Sequence, residues 1–250
     1  MIDSLLGLSL LSLFVIVVGL VLAGVVKGAT GLGYASCALP FLVYAVGLKT
    51  AIAFVLVPAM ATNVAVALGN GHLKATVRDF TPLYVAMLPG IFVGLWLLGE
   101  VDTKLAVMIL GVTIIAYSAF SLIQPDLSLP KPLVNALQVP VGLANGVLTG
   151  LTGSQVMPMV PYFLASNLEP KRMVQAINLG VTFASATLLC GLLISGLVPR
   201  AILLASTIAI VPALLGVEIG QRLQPFLRAE VLRTAILIIL AAAGAGLILR

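Results

Sequence analysis

Two short stretches stand out for the chemistry their residue types allow: Lys27-Gly28-Ala29-Thr30-Gly31-Leu32-Gly33 and Thr149-Gly150-Leu151-Thr152-Gly153-Ser154-Gln155. Each is a small-residue turn feeding an apolar segment, so each places a helix N-terminus beside the turn. Free N–H groups and the positive end of the helix dipole make such a terminus an anion site. The hydroxyls of Thr30, Thr152 and Ser154 add donors there, and Gln155 adds an amide. Gly31, Gly33 and Gly153 allow the backbone approach that a side chain would block. Lys27 stands at the first break, where it either lends positive charge to an anion or snorkels to the surface. The competing reading is that these glycines serve close helix packing, as small-xxx-small pairs do in membranes. The matching of two breaks favours the anion site.

A second polar set lies downstream. Gln175, Asn178, Thr182 and Ser185 fall on one face of a helix. In a membrane helix such a stripe either bonds neighbouring helices or lines a hydrated route. Its counterpart in the first half is poorer, with only Thr62 and Asn63. The candidate substrate-binding residues are therefore Lys27, Thr30, Gly31, Gly33, Asn63, Thr152, Gly153, Ser154, Gln155 and Asn178. Enzyme chemistry finds no footing. No His, Cys or carboxylate cluster has metal-ligand spacing, no phosphate-binding loop is present, and His72 is the single histidine. No cofactor and no metal are expected. Cys37 and Cys190 read as small hydrophobes, and Glu218 with Arg222 as an i,i+4 ion pair near a helix end.

The elements that must position these residues follow from composition. Of 250 residues 61% are hydrophobic and only 8% charged, against about 25% charged in soluble domains; mean hydropathy is +1.23. The chain reads as an all-α polytopic membrane protein. Its apolar runs are 5–26, 34–46, 51–68, 80–98, 105–123, 133–148, 156–165, 173–194, 201–219 and 231–249, and no Asp or Glu occupies the middle of any of them. The basic excess, 13 Lys+Arg against 8 Asp+Glu, speaks for orientation in the bilayer and not for a nucleic-acid partner.

The halves resemble each other at an offset of 122 positions: Gly24 matches Gly146, Gly28-Ala29-Thr30-Gly31 matches Gly150-Leu151-Thr152-Gly153, Lys49 matches Lys171 and Gly94 matches Gly216. This predicts a first repeat over 1–123, a cytoplasmic linker over 124–132 and a second repeat over 133–250. If the repeats are inverted, connectors 69–79, 124–131, 166–172 and 221–230 share one side. That side then holds Lys74, Arg78, Lys131, Lys171, Arg172, Arg222 and Arg228, and the positive-inside rule makes it cytoplasmic. Each repeat is expected to be a broken helical hairpin plus three transmembrane helices, with the anion site near the bilayer midplane between halves. The first hairpin lacks the polar residues of the second (Asn135, Gln138, Asn145) and is expected to be the more lipid-exposed.

Taken together, the stretches Gly24 to Pro40 and Gly146 to Pro161, with the later Pro89 to Gly94 and Pro212 to Gly216, resemble the sulfite exporter TauE/SafE family of membrane transporters. The resemblance covers essentially the whole chain. It implies a bacterial inner-membrane protein whose partners are the lipid bilayer and a small anion (sulfite or an organosulfonate), with a homodimer as a candidate assembly. The chain departs from a richer GxGGG form, having Gly31 and Gly33 in the first half and Ser154-Gln155 after Gly153 in the second. The implied activity is sulfite export by alternating access around the two Gly-rich breaks. Sulfite exchanges a proton near neutral pH and is able to carry its own. The alternatives are an anion channel or an uptake permease for a carboxylate or aromatic sulfonate, and a membrane scaffold with no pathway of its own.

Overall fold

The computed structural model describes residues 9–68, 73–123, 127–226 and 229–249. His72, Gly69, residues 124–126 of the linker, the start of the first apolar run and Arg228 lie outside these. The described residues form eleven helices: α1 (Leu10–Thr30), α2 (Tyr34–Val46), α3 (Leu48–Leu68), α4 (Leu73–Glu100), α5 (Thr103–Ile123), α6 (Lys131–Thr152), α7 (Met159–Ala165), α8 (Pro170–Ser195), α9 (Arg200–Ile208), α10 (Ile210–Leu223) and α11 (Ala229–Ile248). Six stretches are long and apolar enough to cross a bilayer: Leu10–Thr30, Leu73–Glu100, Thr103–Ile123, Lys131–Thr152, Pro170–Ser195 and Leu204–Leu223. Helix is what such runs must form, since a backbone in hydrocarbon has no water to satisfy its N–H and C=O groups.

Three expected boundaries move. Residues 73–79 belong to α4, so the connector expected over 69–79 is shorter. The helix after the second break begins only at Met159. The run 201–219 divides at Ala209, where Pro212 has no N–H to offer the Ile208 carbonyl.

Packing pairs the helices across the two halves. α1 lies on α10 and α4 on α6, while α3 pairs with α8 and α5 with α11. Glycines set the first two pairs. A Cβ on Gly24 would lie 2.4 Å from the Ala213 carbonyl oxygen, and one on Gly28 2.1 Å from that of Val217; Gly216 and Gly220 are equally tight against Val21 and Val25. In the α4–α6 pair Gly94 would meet Val147 O at 2.2 Å, and Gly150 would meet Ile91 O at 2.2 Å. Backbones in such contact gain dispersion over a long seam, which is what holds helices together where lipid removes the hydrophobic drive. The packing reading of Gly24, Gly28, Gly146 and Gly150 is therefore the one their geometry carries.

The centre is α3, whose Leu48, Ile52, Val55, Leu56 and Ala59 are all buried; a helix apolar on every side belongs inside. The first hairpin is not the lipid-exposed one. Its second leg α2 buries Tyr34 through Pro40, Leu42 and Val43, because small side chains (Ala35, Ser36, Cys37, Ala38) let it sit against α3. In both hairpins the first leg faces outward, through Leu10, Leu11 and Phe14 on α1 and Leu133, Val139 and Leu143 on α6.

One end of the bundle is tied by polar contacts among α4, α6, α8 and the connectors beside them. Arg172 pairs with Asp79 at 2.5 Å, Gln138 Nε2 donates to the Asp79 carbonyl at 3.0 Å, and Asn167 Nδ2 donates to Ser128 Oγ at 2.8 Å. These contacts bring 127–130, 166–172 and the start of α4 together. Asp79 is about half exposed, so Asp79→Asn is expected to cost no more than about 1 kcal/mol; a thermal unfolding shift beyond a few degrees would show that the pair matters more than its exposure implies.

Candidate functional site

Both breaks close the same way. Thr30 is followed by Gly31 in the left-handed region (φ 78°), whose N–H bonds Lys27 O; Thr152 is followed by Gly153 (φ 75°), whose N–H bonds Thr149 O. The threonine hydroxyls serve these ends locally. Thr30 Oγ1 donates to Val26 O at 2.8 Å and Thr152 Oγ1 to Leu148 O at 2.6 Å. Each also accepts from the N–H two residues on, of Leu32 and Ser154. In each GxTG, then, the first glycine packs a helix seam and the second caps a helix.

The two breaks meet at one small cavity of about 20 Å³, lined from the first hairpin by Lys27, Leu32 and Gly33 through Ser36, and from the second by Gln155, Val156 and Val160. Asn63 on α3 and Asn178 on α8 close it, with Tyr117, Ile177 and Val181 as an apolar wall. Of the ten candidate residues, Lys27, Gly33, Asn63, Gln155 and Asn178 line the cavity. Gly31 is adjacent, its carbonyl accepting from Asn178 Nδ2 at 3.2 Å. Thr30, Thr152, Gly153 and Ser154 stand outside the lining. Ser154 Oγ is buried without a partner.

Lys27 does not snorkel. It is 2% exposed, and its ammonium donates to the amide oxygens of Asn63 and Asn178. An ammonium has three donors, so one remains after these bonds. Among the described residues the ion pairs are Arg172–Asp79 and Arg222–Glu218, and Lys27 is in neither. Two buried polar atoms of the lining, Asn63 Nδ2 and Tyr34 Oη, have no partner. Gly33 (φ 84°) begins α2 with no side-chain cap, and the first bond of that helix is Cys37 N to Gly33 O. The N–H groups of Tyr34, Ala35 and Ser36 therefore precede the helical ladder. The arrangement is one buried cation, spare donors and an uncapped N-terminus.

The stripe on α8 divides among different partners. Gln175 accepts from Thr76 Oγ1 at 3.0 Å, Asn178 holds Lys27, and Ser185 Oγ accepts from Gln155 Nε2 at 2.9 Å. Thr182 turns back onto its own helix at Asn178 O. The site is not central along α8. Asn178 stands eight residues from Pro170, ~12 Å at 1.5 Å per residue, and roughly twice as far from Ser195. Along α8 the cavity therefore lies toward the Arg172–Asp79 end. Tyr34 and Tyr117 were not among the candidates. Tyr34 follows Gly33 directly, but Tyr117 comes from α5, and nothing local marks it.

No curated protein and no solved structure matches the chain. A family model described as sulfite exporter TauE/SafE matches residues 15–247, nearly the whole length. With its six apolar helices long enough to span a bilayer, the chain is an integral membrane protein and belongs to the sulfite exporter TauE/SafE family of membrane transporters.

Proposed function

We propose that this protein exports a small sulfur oxyanion or organosulfonate, sulfite in the first instance, across the inner membrane of a bacterium, binding it at the Lys27 cavity. The observation that carries this reading is a buried ammonium held only by two amide oxygens, with unpartnered donors beside it. A charge in low dielectric is costly until it is paired, and an anion entering the cavity pairs it. Asn63 and Asn178 aim the ammonium. Its third N–H, Asn63 Nδ2 and the amides of Tyr34 to Ser36 receive the oxyanion.

The cavity of about 20 Å³ holds about one water, so loading an oxyanion requires the hairpins and α8 to part. That favours a carrier over an open channel. The exchange of helix pairings between halves, and the matched caps at Gly31 and Gly153, support two repeats rocking about the site. Placing the arginine-rich connector end in the cytoplasm follows from the charge asymmetry. On that side the Thr76–Gln175 bond and the Arg172–Asp79 pair lie between cavity and surface.

The test is thermal stabilisation of detergent-purified protein by sulfite, sulfonates, thiosulfate, sulfate and carboxylates, followed by flux in proteoliposomes. Saturable stabilisation by a sulfur oxyanion is the expected result; a melting temperature indifferent to every anion would sink the reading. A sharper version uses Asn178→Asp. A carboxylate there becomes a fixed counter-ion for Lys27, so the protein is expected to stay folded and to lose anion response by about tenfold or more. Asn178→Asp with undiminished flux would remove Lys27 from the pathway.

A further inference from the structure

We infer that the cavity selects a monovalent oxyanion with one uncharged face, of the form R–SO₃⁻ (hydrogen sulfite or a small alkylsulfonate), and rejects dianions of similar headgroup shape. This rests on the proposed assignment of the Lys27 cavity as the anion site. The site has a single positive charge. Position 149, which the repeat offset places opposite Lys27, is threonine, and Thr149 is occupied inside its own hairpin: its Oγ1 donates to Ser154 O at 3.2 Å, and Asn145 Nδ2 reaches it at 3.5 Å. Asn145 Oδ1 in turn accepts from the Met159 N–H at 3.3 Å. Thr149 and Asn145 are thus engaged within the second hairpin, which offers the cavity the neutral amide of Gln155 and no second cation.

Charge balance follows. A monoanion and the Lys27 ammonium form a neutral pair in an apolar surround, whereas a dianion leaves one negative charge buried and unmatched. Apart from Lys27 the lining is uncharged, and Val156, Val160, Ile177 and Val181 give it apolar surface. A second negative charge would be stripped of water with no cation to match it, whereas an OH or a short alkyl group carries no such charge.

The test compares anions that differ by one charge, at one pH, on the full-length purified protein. Methanesulfonate and methyl sulfate are the monovalent probes, and sulfate and thiosulfate the divalent ones. The two monovalent probes are expected to raise the melting temperature at concentrations about 100-fold lower than sulfate or thiosulfate need for the same shift. Sulfate or thiosulfate acting within about tenfold of methanesulfonate overturns the inference. Lys27→Gln tells the two failures apart. If divalent and monovalent anions act equally on the parent protein and Lys27→Gln abolishes all responses, the site stands and charge selection falls. If no anion, sulfite included, shifts the parent protein, both fall.

Discussion

Lys27→Gln is expected to raise the stability of the anion-free protein while removing its response to anions. Lys27 is a buried ion facing neutral partners, and a buried charge without a counter-ion carries a desolvation penalty that a neutral side chain does not. Glutamine keeps an NH₂ group to donate toward the amide oxygens of Asn63 and Asn178, so those acceptors are not abandoned. The same change deletes the only charge in the cavity lining. Anion-dependent stabilisation and proteoliposome flux should each fall by about 100-fold or more, since a charge-assisted contact in a dry site is lost. The two effects have opposite signs, and this separates the substitution from simple misfolding. Lys27→Gln protein that still melts higher on adding sulfite would show that the cavity is not where the anion sits.

The second large effect belongs to the glycine seams. Gly150→Val puts a Cβ 2.2 Å from the Ile91 carbonyl oxygen, and Gly28→Val puts one 2.1 Å from that of Val217. In both cases the obstacle is backbone on a facing helix, which yields only if the helices separate. Each substitution is expected to cost more than about 4 kcal/mol, the tail reserved for overpacking with no escape. The readout is loss of a monodisperse peak in detergent size-exclusion chromatography. Gly99→Ala and Gly246→Ala are the controls, since nothing lies within 4 Å of a Cβ at either position; both should behave as the parent. Gly150→Val protein with a normal peak and melting temperature would mean that the α4–α6 seam is looser than its distances state.

How far these features could be read in advance depended on the range of the interaction involved. Helices such as Tyr34–Val46 and Thr103–Ile123 were legible to within a residue or two because hydrocarbon permits little else for an apolar run. The matched breaks were legible too, since a left-handed cap needs glycine at Gly31 and Gly153 wherever the chain goes next. What local sequence left open was direction. Thr30 and Thr152 have the right chemistry for a ligand but lie four residues after a carbonyl on their own helix, and that nearer partner wins. Lys27 reads equally as snorkelling or buried until Asn178, 151 positions away, supplies an acceptor. The stripe on α8 is visible as a period, yet its three destinations (Thr76, Lys27 and Gln155) lie on three other elements.

The off-centre position of Asn178 on α8 has an electrical meaning. Eight residues of a 26-residue helix separate it from the Arg172 end, so on the proposed pathway, with the field falling evenly along α8, an anion entering from that end would traverse about a third of it, and from the other about two thirds. One elementary charge across the full field is worth about 2.3 kcal/mol per 100 mV. Occupancy from the near side should therefore respond to voltage with about a third of that steepness, and release to the far side with the remainder. Turnover in polarised proteoliposomes would be governed by the long limb, and the membrane potential itself would be a source of direction for the proposed export of a monovalent anion.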